Sequence, residues 1–385
     1  MKKSVQIIYI VLFLAVISIG TIVNFPNLYT AFKETVSKEK YELWATSIGW
    51  DYNDNFSNKY FFVNANGFIR NALWQRTMKD VVKTSSGKLV IPLGDVEVFA
   101  QAENTYIFHE WLKTQDIPFA YIQVPYEICK YDSQLPYGIT DYSNANADTY
   151  LALLEQNNVP YLDLRESMHT DGMTHYDAFF QTDHHWRIET AFWAYGEIVD
   201  YIEPILDVEI PNQYTSIDSY YVELTDAPVL GSSGRKTGIS YGGLDTLSLI
   251  YPKYNVQASF EAPEEGILRT GTFQEAYMVY ERLEGDSLYE MSQYNVYIGE
   301  DYPTTIQKCE TAPCDKKILI IKDSFSRPVQ AFLGTSFSRV DTIDLRYFGG
   351  NIQEYILEYN PDIVLLCYNP YMLHSPDFFH FIKEQ

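Results

Sequence analysis

The alternation of apolar and polar positions predicts helices and strands in two separate parts of the chain. In the first part, residues 103–114 place apolar side chains at helical spacing, and residues 119–125 form an apolar run that ends at a proline. A second helix fits residues 144–156, and a second apolar run occupies residues 159–164. Short apolar runs are typical of strands buried on both faces. Helices that alternate with such strands predict a parallel sheet.

The same alternation returns near the C-terminus. The predicted elements there are a strand over 317–322, a helix over 327–336, a strand over 340–345, a helix over 351–359 and a strand over 363–367. Between the two parts, residues 206–305 do not alternate and are rich in Tyr, Gly, Pro and acidic side chains. We interpret residues 206–305 as an irregular or β-rich insertion in one large domain that spans residues 61–385.

The N-terminus predicts a membrane anchor over residues 1–25. Lys2 and Lys3 precede an apolar run that starts at Val5, and about 19 residues of helix span roughly 28 Å, which is enough to cross a bilayer. The run lacks a good cleavage site, so the pattern favours an uncleaved anchor over a cleaved signal peptide. Because the lysines should remain in the cytoplasm, we expect a single-pass protein of the cell membrane. Residues 26–60 would form a membrane-proximal segment, and the large domain would be extracytoplasmic.

Composition excludes some classes of partner. The 28 Lys and Arg against 51 Asp and Glu give a formal charge of −23, which argues against nucleic acid and anionic membrane surfaces as ligands. The 33 Tyr and 6 Trp suit the faces of sugar rings, although they also suit ordinary cores. An extracytoplasmic location permits disulfides. Cys309 and Cys314 flank a short loop that a disulfide could close, whereas Cys129 and Cys367 fit buried thiols.

Ser324 occupies the position of a nucleophile in a parallel α/β fold. It follows the apolar run 318–321 within Asp323-Ser324-Phe325, and a predicted helix begins shortly after it. Open parallel sheets bind ligands at the carboxyl ends of their strands, and a helix that starts there directs backbone N–H groups at a developing oxyanion. The alternative is that Asp323 or Ser324 only caps the helix.

A second stretch, Thr182-Asp183-His184-His185-Trp186, supplies an acid and a base. In an extended segment, Asp183 and His185 project to the same side. The carboxylate can then orient the imidazole, and the imidazole can accept the proton of a serine. His184 would point the opposite way, and Trp186 would form a wall of the pocket. Alone, the Asp-x-His spacing is more typical of a surface turn.

Together, the two stretches resemble the alginate O-acetyltransferase branch of the SGNH hydrolase-like superfamily, and more narrowly the bacterial proteins named for their Asp-His-His-Trp (DHHW) motif. The resemblance extends over most of the chain after residue 60. It implies an SGNH hydrolase-like (flavodoxin-like) three-layer sandwich with a mainly parallel sheet, and a permuted order in which the Asp-x-His pair precedes the serine. It also implies that Asp183 and His185 are the acid–base pair and Ser324 is the nucleophile.

A third element of the branch has a counterpart near the C-terminus. Residues 361–369 have the form of the strand that precedes an oxyanion-hole Asn, which implies that Asn369 donates beside the Ser324 backbone N–H. The alternative is a turn residue before a proline. The chain departs from the branch at two places. In the branch, a Gly usually precedes Asp-Ser, and this chain has Lys322 at that position. A Thr-Pro often opens the helix after the Trp of the motif, and this chain has Arg187-Ile188 there.

Other side chains are candidate substrate-binding residues because of their positions. Arg235 lies in a Gly-rich, basic loop over residues 231–236, which is unusual in an acidic protein. The loop could supply a second oxyanion donor or bind the substrate, and the alternative is a plain flexible turn. Arg346 and Tyr347 follow another predicted strand and should lie at the same edge of the sheet as the serine. Trp186 belongs to this group through its place in the motif.

The leading interpretation is acyl transfer to a cell-surface polysaccharide. Ser324 would take an acetyl group, His185 would relay protons, and a sugar hydroxyl or water would accept the acyl group. The protein would therefore be an O-acetyltransferase or an acetylesterase, and this chemistry requires no metal or diffusible cofactor. The resemblance implies a polysaccharide acceptor and a multi-pass membrane acyltransferase as the donor-side partner.

Two other functions fit the same sequence. The first is a metal-dependent hydrolase that uses a cluster of imidazoles and carboxylates. The members of that cluster are His169, Asp171, His175, Asp177, Asp183, His184 and His185. The ligand types suit zinc, but the cluster lacks the helical spacing of known zinc motifs and leaves the serine unexplained. The second is a non-catalytic, anchored protein that binds polysaccharide or supports its assembly.

Overall fold

A computed structural model describes residues 58–284 and 288–382, together with isolated positions between 11 and 29. Internal contacts divide the chain into two units, residues 1–69 and 70–385. The predicted anchor and membrane-proximal segment lie almost wholly outside the described residues. Within the described residues, no helix is both long enough and apolar enough to cross a membrane.

Ten α-helices lie within residues 58–284 and 288–382. The α-helices of the described residues are α1 (Lys59–Ala72), α2 (Phe99–Thr114), α3 (Ser143–Gln156), α4 (Leu164–Thr170), α5 (Ile188–Leu206), α6 (Ser232–Thr237), α7 (Ile239–Gly242), α8 (Phe273–Tyr277), α9 (Ser326–Ser336) and α10 (Ile352–Tyr359). In α5, Ile188, Ala191, Tyr195 and Ile198 recur every three or four residues and are buried, which places them on the face that packs against the core.

The strands form one large sheet and two small ones. They are β1 (Thr77–Met78), β2 (Val81–Lys83), β3 (Leu89–Val90), β4 (Phe119–Gln123), β5 (Tyr161–Asp163), β6 (Tyr220–Leu224), β7 (Ser248–Pro252), β8 (Ala258–Ala262), β9 (Ile267–Gly271), β10 (Thr304–Cys309), β11 (Cys314–Lys322), β12 (Phe337–Ile343) and β13 (Ile363–Tyr368). In the described part of the chain, the large sheet has eight strands in the order β5-β4-β13-β11-β12-β10-β8-β9. β1, β2 and β3 form one small antiparallel sheet, and β6 pairs with β7.

The order in which the chain adds strands to the large sheet reverses on either side of β13. The neighbours from β5 to β12 are parallel, whereas β10, β8 and β9 extend the sheet as antiparallel strands. The chain moves outward from β4 to β5 on one side and from β11 to β12 on the other, with β13 inserted between them. Such a switch point is where open α/β sheets bind ligands. The predicted α/β fold with a mainly parallel sheet is confirmed.

Apolar side chains on both faces of the sheet bury it between layers of helices. Along β11, Ile318 and Ile320 belong to the core that contains α5 and α9, whereas Leu319 and Ile321 belong to the core that contains α2, α3 and α10. Successive residues of a strand point to opposite faces. A strand with helices on both sides must therefore be apolar throughout, which explains the uninterrupted run in the sequence.

Residues 206–305 contribute to the large sheet and to the active-site region. β8 and β9 lie in this region and extend the central sheet, and β6 and β7 form a separate pair. The loop around Gly231 and the segment from Tyr294 to Asp301 also belong to it. Both segments contact the residues of the two sequence motifs.

The cysteines do not form the disulfide that their spacing permits. Cys309 ends β10 and Cys314 begins β11, and both are buried free thiols. Cys367 is a buried thiol in β13, as predicted, and burial raises its pKa well above the ordinary value for a thiol. Cys129 is a free thiol that is partly exposed.

Candidate active site

Ser324 lies in a short turn between β11 and α9, at the carboxyl edge of the sheet. The carboxylate of Asp323 fixes this turn. One of its oxygens accepts a hydrogen bond from the Phe325 backbone N–H at 2.9 Å, and the other accepts from the backbone and side-chain N–H groups of Asn369, each at 2.7 Å. Because β11 and β13 are adjacent and parallel, the residues that follow them meet at one edge. Burial raises the pKa of Asp323, and the Asn369 backbone N–H opposes that rise.

The two sequence motifs meet in a chain of three functional groups. Ser324 Oγ lies 2.8 Å from His185 Nε2. His185 Nδ1 lies 2.5 Å from Asp183 Oδ1. An Nδ1–H that donates to the carboxylate leaves Nε2 as an acceptor for the serine hydroxyl. The three side chains are buried, with Ser324 at 7% exposure, and this arrangement is the one required to activate a serine as a nucleophile.

Asp183 reaches His185 through a tight turn, and not through an extended segment. Residues 181–185 form bends, and Asp183 Oδ1 accepts a hydrogen bond from the His185 backbone N–H at 3.0 Å. The prediction of an extended segment is therefore wrong, and the local side-chain-to-backbone hydrogen bond brings the pair together. Asp183 Oδ2 accepts from the Ser232 backbone N–H at 2.7 Å. Burial raises the pKa of Asp183, but the neighbouring imidazoles of His185 and His184 and these hydrogen bonds keep it well below its ordinary value.

A buried carboxylate from a distant part of the chain fixes the turn before Asp183. Asp245 accepts hydrogen bonds from the backbone N–H groups of Gln181 and Thr182, at 2.6 and 2.8 Å, and from the Thr182 hydroxyl at 2.6 Å. The Thr182 hydroxyl in turn accepts from the Gly231 backbone N–H at 2.9 Å. The sequence motif is thus fixed on one side by Asp245 and on the other by the Gly231 loop.

Aromatic rings enclose the imidazole of His185. The ring of Tyr294 stacks on it with centroids 4.0 Å apart and an angle of 14° between the planes, and the ring of His184 lies at 3.9 Å. The Tyr294 hydroxyl donates to the Phe325 carbonyl at 3.0 Å, beside the nucleophile. Tyr294 therefore contacts both sequence motifs, through His185 and through Phe325. The sequence gives no local signal for this role, because Tyr294 lies in the region without regular alternation.

His184 lies beside His185 and lines the cavities next to the nucleophile. The prediction that it points away is therefore wrong. The tight turn brings both imidazoles to the same side, and His184 Nδ1 lies 2.8 Å from the Ser232 hydroxyl. Burial and the neighbouring His185 lower the pKa of His184. His185, and not His184, is within hydrogen-bonding distance of Ser324 Oγ.

Trp186 is buried and does not line either of the cavities beside Ser324, so it does not form the predicted wall of the pocket. Its indole N–H donates to the Phe325 carbonyl and to the Tyr294 hydroxyl, each at 3.1 Å. In this geometry, Trp186 orients the turn that contains the nucleophile. Asn369 lines a cavity beside Ser324 while one of its amide N–H groups donates to Asp323, as given above. Because an amide carries two N–H donors, the second remains for an oxyanion, and that role stays a prediction.

The basic candidates occupy different positions around the site. Arg235 donates to the Met291 carbonyl at 2.8 Å and lines one cavity. Arg346 forms a two-pronged pair with Asp344, at 2.8 and 2.5 Å, and lines both cavities beside the serine. Tyr347 is more than half exposed, and the Arg346 guanidinium lies 5.3 Å from the centre of its ring.

A largely buried ionic cluster flanks the turn that contains Ser324, through Lys322 before the turn and Arg327 after it. Asp301 pairs with Lys322 at 2.8 Å, with Arg327 at 3.0 Å and with Arg346 at 3.0 Å. Asp344 adds a second carboxylate beside Lys322 and Arg346. Burial raises the pKa of Asp301, but the three cations lower it far more, so that its net shift is downward. Lys322, which replaces the expected Gly, is therefore part of the support for the turn.

Two cavities meet at Ser324. The first, here called the apolar cavity, has a volume of about 260 Å³ and a mainly apolar wall that includes Ile91, Tyr126, Tyr371 and Met372. The second, here called the polar cavity, has a volume of about 380 Å³ and a mainly polar wall. Its own lining residues include His185, Arg235, Arg282, Glu290, Ser292 and Arg327. The residues shared by the two cavities are His184, Ser232, Ser324 and Arg346.

Solved structures with the same fold are known. PatB1 from Bacillus cereus, in a structure with a sulfonyl adduct, has a TM-score of 0.65 and 22% identity over 80% of this chain and 100% of that chain. A DHHW family protein from Eubacterium siraeum has a TM-score of 0.59 and 18% identity over 78% of this chain and 93% of that chain. The predicted resemblance to DHHW proteins is confirmed at the level of the fold.

A more distant match is the O-acetyltransferase domain of AlgJ from Pseudomonas putida, with a TM-score of 0.44 and 12% identity over 77% of this chain and 92% of that chain. No family model matches the sequence. No curated protein matches it either.

The proposed histidine–aspartate metal cluster does not come together as a whole. Within the part of the chain that the structure describes, the group of potential ligands within 4.8 Å of one another is Asp183, His184 and His185. Both ring nitrogens of His185 are already engaged, by Asp183 and by Ser324. The other two imidazoles of the predicted cluster, His169 and His175, line a different, small cavity.

Proposed function

We propose that this protein is an extracytoplasmic O-acetyltransferase or acetylesterase with an SGNH hydrolase-like fold, acting on a cell-surface polysaccharide. The observation that carries the proposal is the chain of hydrogen bonds from Ser324 to His185 to Asp183, with donor–acceptor distances of 2.8 and 2.5 Å. The sequence motifs alone were equally compatible with a helix cap and a surface turn. Their convergence at the switch point of a parallel sheet supports the catalytic interpretation.

The reaction proceeds in two steps. In the first, Ser324 Oγ attacks the carbonyl carbon of a donor ester while His185 Nε2 accepts the serine proton. The donor C–O bond then breaks, the departing oxygen takes that proton from His185, and the acyl group remains on Ser324. In the second, His185 accepts a proton from a sugar hydroxyl or a water, whose oxygen attacks the acyl-enzyme. Ser324 recovers its proton from His185 as the new ester or the free acid leaves.

Each supporting group has a part in these steps. Asp183 orients His185 and stabilises the imidazolium that forms transiently. The Ser324 backbone N–H and Asn369 are the proposed oxyanion donors. Arg235, Arg346 and Tyr347 are proposed to bind the polysaccharide. The N-terminal segment anchors the protein in the membrane, and a multi-pass membrane acyltransferase supplies the donor.

The test is release of p-nitrophenol from p-nitrophenyl acetate by the full-length chain in mild detergent, with and without a polysaccharide acceptor. Ser324→Ala, His185→Ala and Asp183→Ala should each abolish most of the turnover. His169→Ala is the matched control, because His169 stacks on Tyr131 in a different cavity, and it should retain activity. Full activity in the three triad variants would overturn the proposal. Loss of activity in His169→Ala, together with inhibition by a chelator, would favour a metal-dependent hydrolase.

Labelling with a sulfonyl fluoride tests the reactivity of Ser324 independently of turnover. PatB1 has been observed with a sulfonyl adduct, and a sulfonyl fluoride reacts with a hydroxyl that a neighbouring base activates. The full-length chain should therefore be labelled by phenylmethylsulfonyl fluoride at Ser324. Peptide mass spectrometry should locate the adduct there and find none in Ser324→Ala.

A further inference from the structure

The serine lies between cavities that differ in the groups they offer. His185 lines the polar cavity and does not line the apolar one, whereas Asn369 and Asp323 line the apolar cavity and do not line the polar one. This difference matters because the alcohol oxygen, the carbonyl oxygen and the acyl chain extend from the reacting carbon in different directions. The two cavities therefore have distinct uses in the proposed reaction.

The geometry of proton transfer assigns the polar cavity to the two alcohols. The departing oxygen takes its proton from His185 Nε2, and the incoming hydroxyl gives its proton to the same atom. Both oxygens must come within hydrogen-bonding distance of His185, so donor alcohol and acceptor enter from the polar cavity in turn. The acyl chain then points away from His185, into the apolar cavity.

The apolar cavity is much larger than an acetyl group requires. Its volume is about 260 Å³, whereas one water molecule occupies about 30 Å³ in the liquid, and an acetyl group places only one methyl group beyond the carbonyl. Its wall includes the buried side chains of Tyr126 and Met372. The Tyr126 hydroxyl donates to the Ile91 carbonyl at 2.7 Å. The only polar group of the Tyr126 side chain therefore already has a hydrogen-bond partner.

The charged groups around the apolar cavity are compensated. Lys236 pairs with Asp80 at 2.6 Å, and Arg346 pairs with Asp344 and Asp301. The Asp323 carboxylate accepts three N–H hydrogen bonds, one from Phe325 and two from Asn369. The walls therefore present no uncompensated cation to a charged acyl group, which favours an uncharged chain.

We propose that the apolar cavity binds the acyl chain, and that the protein transfers uncharged, short-chain acyl groups larger than acetyl in addition to acetyl itself. The inference rests on the proposed acyl transfer by Ser324. In each turnover, an ester bond forms at Ser324 Oγ as the donor ester bond breaks, and the donor alcohol leaves with the proton from His185. Ile91 and Met372 then determine chain length, because they line the cavity beyond the serine.

The test compares p-nitrophenyl acetate, propionate, butyrate and hexanoate on the full-length chain. The kcat/KM for butyrate should equal or exceed that for acetate. Ile91→Trp fills the cavity and should lower the butyrate-to-acetate ratio by about tenfold or more, the scale of discrimination by a hydrophobic pocket. Met372→Ala enlarges the cavity and should move the preference toward hexanoate. Arg282→Gln changes the polar cavity and should leave the ratio unchanged.

The outcomes separate this inference from the proposed function. Turnover that depends on Ser324 but falls more than tenfold from acetate to butyrate would overturn the chain-length inference alone. An unchanged ratio in both Ile91→Trp and Met372→Ala, with native circular dichroism, would also overturn it. If no ester in the series is turned over in a Ser324-dependent manner, both proposals fail.

Discussion

Gly231 and Asp183 are in such close contact that residue 231 has no room for a side chain. A Cβ atom at position 231 would lie 2.2 Å from Cβ of Asp183 and 2.5 Å from its Cα. The close approach allows the next residue, Ser232, to donate its backbone N–H to the Asp183 carboxylate at 2.7 Å. The glycine thus determines where the acid of the triad lies.

Gly231→Ala should reduce activity strongly, because the added methyl group must displace Asp183. A displacement of about 1 Å at a catalytic group can lower the rate about 100-fold, and we expect a loss of kcat/KM of that order with p-nitrophenyl acetate. Gly196→Ala is the matched control, because nothing lies within 4 Å of a Cβ at that position in α5. It should keep full activity. Equal activity in the two variants would contradict the steric argument.

The backbone of the site was predictable, but the contacts that complete it were not. The apolar runs of β11 and β13 located Ser324 and Asn369 at one edge, since burial on both faces requires such runs. No local pattern identifies Gly231 as a contact of Asp183. It lies 48 positions away in the chain, in a region without alternation, and the contact exists only after folding. The Gly-rich loop was visible in the sequence, but its partner was not.

Trp186 and Tyr294 should act together on the nucleophile turn. Both donate hydrogen bonds to the carbonyl of Phe325, at 3.1 and 3.0 Å. Trp186→Phe or Tyr294→Phe removes one donor and leaves the other, whereas the double variant leaves a buried carbonyl without either of them. Because the two donors share this carbonyl, and because the indole N–H also donates to the Tyr294 hydroxyl, the loss of unfolding free energy in the double variant should differ from the sum of the single losses by about 1 kcal/mol.

Urea denaturation of the four proteins in this cycle measures the coupling, and the same proteins give kcat/KM for p-nitrophenyl acetate. Each Phe substitution keeps an aromatic ring, so the stacking on His185 is preserved in Tyr294→Phe. Simple additivity of both the unfolding free energies and the activation free energies would show that the two donors do not share the carbonyl.

The ionic cluster that flanks the turn should tolerate the loss of a cation better than the loss of its central carboxylate. Asp301→Asn leaves the buried cations Lys322 and Arg327 and the partly buried Arg346 with Asp344 as the remaining carboxylate of the cluster, and breaking a buried pair in this way costs about 3–5 kcal/mol. Lys322→Met leaves two cations with two carboxylates and should cost clearly less. Urea denaturation at pH 7 compares the two variants, and a larger loss in Lys322→Met would contradict this account.

The pH dependence of the Asp301→Asn variant follows from the direction of the pKa shift. Because the neighbouring cations lower the pKa of Asp301 in the folded state, its contribution to stability is complete above the unfolded value of about 3.9. It is lost as the pH falls toward the folded pKa. The difference in unfolding free energy between wild type and Asp301→Asn should therefore be constant from pH 7 to about pH 5 and narrow below about pH 4. A difference that narrows as the pH rises from 5 to 7 would contradict the assignment.

The two adjacent histidines should have different mutant phenotypes. His185→Gln removes the group 2.8 Å from Ser324 Oγ, and loss of a general acid–base group lowers the rate about 10²–10⁴-fold. His184→Gln removes a ring that contacts Ser232 and lines the cavities, and its effect should be about tenfold or less. Measurement of kcat with p-nitrophenyl acetate distinguishes them. The reverse order of effects would identify His184 as the base.

The support for His185 illustrates what sequence patterns miss. The Asp-x-His spacing indicates a pair that is in hydrogen-bonding contact, but a tight turn, and not an extended segment, brings the two side chains together. The turn depends on Asp245, and the stacking depends on Tyr294. Neither residue has a distinctive local environment in the sequence, because each acts through a contact made across more than 60 positions.

Trapping of the acyl-enzyme shows directly whether Ser324 carries the acyl group during turnover. The full-length protein is mixed with p-nitrophenyl acetate, quenched in acid during turnover, digested and analysed by mass spectrometry. We expect one acetyl group on the peptide that contains Ser324 in wild type and in Ser326→Ala, and none in Ser324→Ala. Turnover without acetylation of that peptide, or undiminished turnover in Ser324→Ala, would contradict this expectation.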